Sequence, residues 1–294
     1  TTATTTYGEI NTWDVSQITD MSYLFLWKDQ FNSDISAWDV SNVTNMTAML
    51  SYALSFNQDL SSWDVSNVTS MGDMFHGATS FNQDISNWDV GNVTDMANMF
   101  LNATSFDQNL GSWNIISVTT MANMFEGVTL STSNYEATLN GWASGLIPYN
   151  ITFDGGNSQY CDSTARDILT GDSNIGWTIT DGGQFCTLTD ANIHQAVDLW
   201  VDDPDAASSI YGGHISLWDV SAVTNMQRLF DGKLNFNDDI SNWDVSNVTD
   251  MNYMFDGAIS FNQPIGSWDV SNVTRMDGMF HSPYGTCCGP LTAP

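Results

Sequence analysis

Rows of aspartates are the residue pattern in this chain that could do chemistry. The segment Trp-Asp-Val-Ser and close variants recur at a fixed interval of 25 residues within two blocks, so a carboxylate follows nearly every repeat tryptophan. Carboxylates on stacked strands lie roughly 5 Å apart and repel one another. Hydrogen bonds from Ser and Thr, raised pKa values or bound cations such as calcium would compensate that repulsion. The candidate metal ligands are Asp14, Asp39, Asp64, Asp89, Asp219, Asp244 and Asp269.

A second aspartate row lies in the turn before each repeat segment and leaves the calcium hypothesis open. Two such rows could supply the several oxygen ligands that calcium needs. In the alternative interpretation, the aspartates accept hydrogen bonds from backbone N–H groups of the turns. No Asp-x-Asp-x-Asp-Gly loop supports calcium, and no other cofactor is expected. The residues of this second row are Asp34, Asp59, Asp84 and Asp239.

The fixed period of 25 residues predicts a repeat array. In the coil that begins at Ile35, Trp38 and Val40 fit one face of a short strand, and residues 46–50 fit one or two helical turns. A single coil cannot bury its own apolar edge, so the coils must stack. The predicted fold class is α/β: a leucine-rich-repeat-like solenoid of strand-plus-short-helix coils, in two arrays separated by a non-repeat cap.

Two interruptions of the repeat predict the domain organisation. Residues 1–127 form the first array of five coils, and residues 128–187 form its C-terminal cap. Residues 188–212 are the N-cap helix and linker of the second array. Residues 213–294 hold three further coils and a tail.

Elements are also predicted between the arrays. Residues 133–142 read as a helix that stops at a glycine, and residues 150–153 and 177–180 read as short strands. The helix of the second array begins at Thr189 or Asp190.

Composition and motifs exclude several function classes. The chain has 34 acidic and 5 basic residues, for a net charge of −29, which argues against nucleic-acid binding. No segment is long and apolar enough for membrane insertion. The four histidines are scattered, and neither a Gly-x-Ser-x-Gly elbow nor a glycine-rich phosphate loop is present. We therefore predict that the protein is not an enzyme.

Cysteines and sequons favour an extracellular setting. Cys161 and Cys186 are predicted to form a bridge that pins the cap. For Cys287 and Cys288 in the tail, the alternatives are a vicinal bridge, a bridge within the tail or a bond to a neighbouring chain. Asparagines in Asn-x-Thr are candidates for glycosylation, although those within the repeat also serve the turn. These candidates are Asn102, Asn150, Asn42, Asn67, Asn92, Asn247 and Asn272.

Two longer motifs carry a family resemblance. Trp-Asp-Val-Ser-Asn-Val-Thr-x-Met occurs at 38–46, 63–71, 243–251 and 268–276, and Met-Phe-x-Gly-Ala-x-Ser-Phe-Asn-Gln occurs at 74–83 and 254–263. The chain resembles the BspA-like leucine-rich-repeat surface proteins. It is more closely similar to the 25-residue repeat of unknown function in mycoplasma surface lipoproteins. The resemblance covers nearly the whole chain and implies an extracellular or cell-surface protein with an adhesive or structural role.

Two function hypotheses follow from the repeat. The first is an extracellular structural protein that self-associates head to tail into a filament or surface layer, with residues 280–294 of one molecule meeting residues 1–13 of the next. This hypothesis predicts a homo-oligomer. The alternative is an adhesin-type binding module whose acidic concave face binds a host protein or a glycan.

Overall fold

A computed structural model describes residues 2–171 and 175–281, apart from the side chains of residues 2–4. The chain forms two compact units, Thr1–Gln184 and Phe185–Pro294. Each unit contains one of the predicted repeat arrays, so each provides its own set of stacked coils.

Backbone pairing joins residues one repeat apart. Single parallel bridges run through Asp20, Asn45, Ser70, Asp95 and Thr120 in the first unit, and through Asn225, Asp250 and Arg275 in the second. Alternate N–H groups that follow each bridge donate to carbonyls of the next coil. In the second coil these donors are Met46, Ala48, Leu50 and Tyr52, with N···O distances of 2.7–2.9 Å.

The local structure of a coil differs from the predicted strand and helix. Residues 46–53 form consecutive turns instead of a helix, and Ala48 and Tyr52 adopt left-handed φ values of 52° and 55°. A helix would use its N–H groups internally, whereas this alternation leaves every second N–H for the next coil. At the expected strand, the Trp38 N–H donates to the Ile35 carbonyl in a turn. The leucine-rich-repeat-like α/β class itself stays a prediction.

Aromatic stacking fills the space between coils. The rings of Trp63 and Trp88 stack with centroids 6.5 Å apart, and Phe100 lies 5.5 Å from Phe75 and 5.4 Å from Phe125. From the second coil of each unit onward, the repeat tryptophan also donates its Nε1–H to a carbonyl of the preceding coil, as Trp88 does to Leu60 at 3.0 Å. The apolar half of the repeat is therefore the core, and the indole N–H fixes the register of neighbouring coils.

The segment after the fifth coil covers the last apolar layer of the first unit. Its elements are α2 (Thr132–Ser144), β1 (Thr152–Asp154), α3 (Thr164–Gly171) and β2 (Thr178–Thr180). Strand β1 pairs with β2 in parallel, and its Phe153 bridges Met121 of the last coil. The two predicted strands are present, whereas α3 had no counterpart in the sequence analysis.

Helix α2 does not stop at Gly141 as expected. It continues to Ser144, and Gly141 instead allows the helix to touch the backbone of the fifth coil. A Cβ atom at Gly141 would lie 2.1 Å from the Gly111 carbonyl oxygen, a distance that real Cβ atoms do not reach. The glycine therefore serves close packing rather than helix termination.

Two consecutive helices open the second unit: α4 (Ile193–Asp202) and α5 (Pro204–Tyr211). Asn192, rather than Thr189 or Asp190, is the N-cap residue of α4. Helix α5 was not predicted, and it begins with Pro204 while Asp203 accepts a hydrogen bond from the Ala206 N–H. The first unit begins with α1 (Thr2–Tyr7), and short 3-10 helices lie at Ile10–Thr12, Ile215–Leu217 and Ile265–Ser267.

The stacked core predicts a large cost for truncating one inner ring. Phe100 is fully buried among Phe75, Phe106 and Phe125. Phe100→Ala should lower the free energy of unfolding by about 3–5 kcal/mol, measured by urea denaturation. Ile116→Ala, at an exposed position, is the matched control and should cost under about 1 kcal/mol. Equal losses for the two variants would contradict the stacked core.

Candidate functional site

The predicted aspartate row exists as an exposed surface row, but its carboxylates are occupied by local turns. Asp39 Oδ1 accepts hydrogen bonds from the Ser41 N–H at 3.1 Å and the Ser41 hydroxyl at 2.6 Å. Asp64 makes the same pair of bonds with Ser66. The backbone N–H two residues later is the shared donor across the row formed by Asp14, Asp39, Asp64, Asp89, Asp219, Asp244 and Asp269.

These hydrogen bonds outweigh the repulsion along the row. The Ser41 hydroxyl and then its N–H lower the pKa of Asp39 below its ordinary value, against slight raising effects of desolvation and of Asp14 and Asp64. In the second row, the N–H and hydroxyl of Ser61 lower the pKa of Asp59. The residues Asp34, Asp59, Asp84 and Asp239 each accept from the N–H two residues later. Both rows therefore consist of side-chain caps of local turns.

The calcium hypothesis gains no support from this geometry. Among residues 2–171 and 175–281, no group of three or more His, Cys, Asp or Glu side chains could hold a metal ion. Asn114 occupies the Asp position of the fifth coil and still accepts a hydrogen bond from the Ile116 N–H at 3.3 Å. An uncharged amide fills the role, as expected for a turn cap.

The sequon asparagines fall into two groups. Those of the repeat donate their Nδ2–H to a serine carbonyl of the preceding coil, at distances of 2.7–2.9 Å: they are Asn42, Asn67, Asn92, Asn247 and Asn272. Asn102 and Asn150 make no such bond, are exposed and have left-handed φ values of 57°. Glycosylation stays a prediction for all seven, and these last two leave Nδ2 more accessible.

Cysteines and histidines add no catalytic grouping within the described part of the chain. Cys161 and Cys186 are both disulfide-bonded, whereas Cys287 and Cys288 lie outside the described residues. The histidines contact separate partners: His76 contacts Asp73, His194 the Gln227 carbonyl, His214 the Ser216 hydroxyl and His281 Asp256.

An apolar groove at the first coil was missed in the sequence analysis. It has a volume of about 650 Å³ and lies among residues that include Ile10, Trp13, Leu24, Trp27 and Lys28. The side chain of Trp27 is 63% exposed although its ring stacks on Tyr52 with centroids 3.8 Å apart. We call the surface of Trp13, Ile18, Leu24, Trp27 and Lys28 the open edge.

The second unit contains the covered counterpart of this open edge. Trp218 starts its first Trp-Asp-Val-Ser segment as Trp13 starts that of the first unit, which sets the residue-by-residue match. Trp13 is 39% exposed but Trp218 only 3%, and Leu24 is 46% exposed but Leu229 only 2%. Ile18 is 43% exposed, whereas the matched Val223 is fully buried. Helices α4 and α5 make the difference, because Trp200 and Tyr211 pack on Trp218.

These observations define a class of protein: stacks of 25-residue coils held by a backbone ladder and faced with side-chain turn caps. The family model described as "Mycoplasma protein of unknown function, DUF285" matches residues 1–86, 46–142 and 205–285. The chain belongs to this family. No curated protein and no solved structure matches the chain. In the described residues, no helix is both long and apolar enough to cross a membrane.

The lowered pKa values predict a pH dependence of stability. A carboxyl whose pKa is lower in the folded state stabilises that state above about pH 4 and loses this contribution as the pH falls through the folded value. Replacing Ser41 and Ser66 by alanine removes the largest cause of the shift at Asp39 and Asp64. The double variant should be less stable than the wild type at pH 6, and the two should converge toward about pH 2.

Urea unfolding at each pH measures this difference. The free energy of unfolding of the variant is subtracted from that of the wild type at each pH. This difference cancels the change in overall charge repulsion, which acts on both proteins. A stability gap that stays constant from pH 6 to about pH 2 would show that the serine hydroxyls do not act through the carboxylates.

Proposed function

We propose that the protein is a non-catalytic binding module of the cell surface that recognises another polypeptide through the open edge. The observation that supports it is the contrast between Trp13 and Leu24, which are exposed, and their counterparts Trp218 and Leu229, which are buried. Exposed apolar surface of this kind, bordered by polar residues, is typical of protein interaction sites.

The acidic face is a weaker candidate for ligand binding than the open edge. Its carboxylates are engaged by the serines of their own turns, so a ligand would have to compete with local hydrogen bonds. At the open edge, by contrast, Trp13, Leu24 and Trp27 would each gain burial on contact, and aromatic anchors commonly carry most of the binding energy at interfaces. An adhesive role then rests on one end of the first unit rather than on the repeated acidic surface.

The cell-surface setting rests on the family and on composition. The chain belongs to a family described from Mycoplasma, and its net charge of −29 disfavours binding to nucleic acids and to anionic membrane surfaces. Catalysis has no support, since the described histidines and aspartates serve turns and local pairs.

Peptide binding by the full chain tests this proposal. We expect labelled wild-type protein to bind members of an immobilised array of helical and extended peptides of differing charge. Leu24→Asp should abolish that binding, because it places a charge in the groove. Leu146→Asp, at an exposed position elsewhere in the first unit, should bind like the wild type. An array without bound peptides, or binding that survives Leu24→Asp, contradicts the proposal.

End-to-end self-association is a second candidate, and a separate observation favours it. The carbonyls of Asp20, Ser22 and Leu24 accept no hydrogen bond from any described residue, whereas those of Asn45, Thr47 and Met49 accept one from the preceding coil. Unpaired backbone edges promote association. In the second unit, the N–H groups of Met276 and Gly278 likewise donate to no described residue, so a coil-on-coil contact between molecules could pair the two rows.

Sedimentation velocity over a range of concentrations tests this candidate. Self-association predicts species larger than the monomer that grow with concentration and disappear in Leu24→Asp, with Leu146→Asp as the control. A single monomeric species at every concentration contradicts self-association and leaves the binding-module proposal standing.

A further inference from the structure

Lys28 distinguishes the open edge from the rest of the charged surface. The chain has five lysines and arginines, and the other four form ion pairs: Arg166 with Asp181, Arg228 with Asp231, Lys233 with Asp198, and Arg275 with Asp250. Lys28 pairs with no described residue. In a chain with 34 acidic residues, a basic residue at an apolar groove without an acidic partner among the described residues indicates that the groove accepts an acidic ligand.

The repeat position of Lys28 argues against a coil as that partner. In the inner coils this position is small, apolar and buried: it is Ala53, Ala78, Ala103, Val128 and Ala258. A coil stacked on the open edge would bury the Lys28 ammonium where the inner coils accommodate a methyl group. Burial of an unpaired charge is costly. Lys233 occupies the same position in the first coil of the second unit, so lysine there marks a coil that is not covered by another coil.

In the second unit a helix meets this lysine. The Lys233 ammonium donates to the Asp198 carboxylate of α4. From the same helix, the indole ring of Trp200 packs edge-on against Trp218, with centroids 5.8 Å apart, and its Nε1–H donates to Asp238 at 3.0 Å. Helix α4 thus covers the apolar edge and neutralises the lysine in one contact.

Just before α4, the side chain of Asp190 takes the place of the backbone carbonyl that a preceding coil supplies elsewhere in the stack. In inner coils, the threonine before the bridge donates its N–H and hydroxyl to a threonine carbonyl one coil earlier, as Thr44 does to Thr19. For Thr224 the acceptor is the Asp190 carboxylate, with N–H···Oδ1 and Oγ1–H···Oδ2 distances of 2.7 and 2.6 Å. Partial burial raises the pKa of Asp190, but these bonds lower it more, so Asp190 acts as an ionised substitute for the carbonyl.

The first unit presents the same three features without their partners. Among the described residues, the Thr19 N–H has no acceptor, Lys28 has no carboxylate, and Trp13 has no covering aromatic side chain comparable to Trp200. We infer that the open edge binds an acidic amphipathic helix. Such a helix carries apolar residues spaced like Ile193, Val197 and Trp200 and a carboxylate at the Asp198 position for Lys28. The residues just before it carry a carboxylate at the Asp190 position for Thr19.

This inference rests on the proposed function and names the ligand class, and its test uses the full chain. The probe is a fluorescently labelled peptide of residues 188–211, which span the covering segment. At about 150 mM salt, where long-range repulsion is screened beyond about 8 Å, we expect saturable binding by fluorescence anisotropy. Leu24→Asp should weaken binding by about thirtyfold or more, as expected for a central interface residue. Leu146→Asp should leave it unchanged.

Exchanging the charges of Lys28 and of the peptide residue that faces it tests whether this particular contact forms. Lys28→Glu should weaken binding of the wild-type peptide by about threefold to tenfold, and the peptide with Asp198→Lys should restore affinity for Lys28→Glu. A peptide with Val197→Asp, whose apolar face is broken, should not bind. Circular dichroism of each protein variant confirms that it folds.

Two results overturn the inference. One is peptide binding that is insensitive to Leu24→Asp and Lys28→Glu, since the peptide then binds elsewhere, including at the second unit in place of α4. The other is no binding of this peptide while array peptides of extended or basic character bind in a Leu24-dependent manner. The second result leaves the binding-module proposal intact and contradicts only the inference that the ligand is an acidic helix.

Discussion

Hydrogen bonds from the backbone of one coil to the backbone of the next are the interaction on which this structure depends. They require alternate N–H groups to face along the stack, which is achieved by left-handed φ values at positions such as Ala48, Asp73 and Asn98. Because the same hydrogen bonds recur from coil to coil, equivalent apolar side chains recur at fixed positions, and identical rings stack on one another. The 25-residue period of the sequence is a consequence of this stacking geometry.

These hydrogen bonds pair the backbone N–H and C=O groups inside the stack. At each end of the stack they leave unpaired backbone groups and an uncovered apolar layer. The structure shows two ways of ending it. After the fifth coil, strand β1 continues the pairing and α2 covers the apolar layer through Trp142, whose Nε1–H donates to Leu110 at 3.0 Å. Before the first coil of the second unit, the segment that contains α4 substitutes side chains for backbone, with Asp190, just ahead of the helix, in the place of a carbonyl. At the open edge the described residues form neither device, so apolar side chains such as Trp13 and Leu24 stay exposed there.

The same constraint explains why the charged residues carry so little chemistry. Asp39 and its equivalents sit at turns where a carboxylate accepts from the N–H two residues later, and Asn42 and its equivalents donate to the preceding coil. Asn114 shows that charge is dispensable at the first of these positions. The large negative charge is therefore compatible with a mainly structural use of aspartate, and the rare lysines are the more informative residues.

The sequence by itself determined the coil length and the buried Trp, Val, Met and Phe positions, because stacking forces a strict period and the same apolar positions in every coil. It also contained the substitution of lysine for alanine at residues 28 and 233. It could not reveal that residues 46–50 are turns, because a helix and a run of alternating turns bury similarly spaced residues. Only the tertiary structure decided that Asp190 and Asp198 serve a neighbouring coil, since both contacts join residues more than 30 positions apart in sequence.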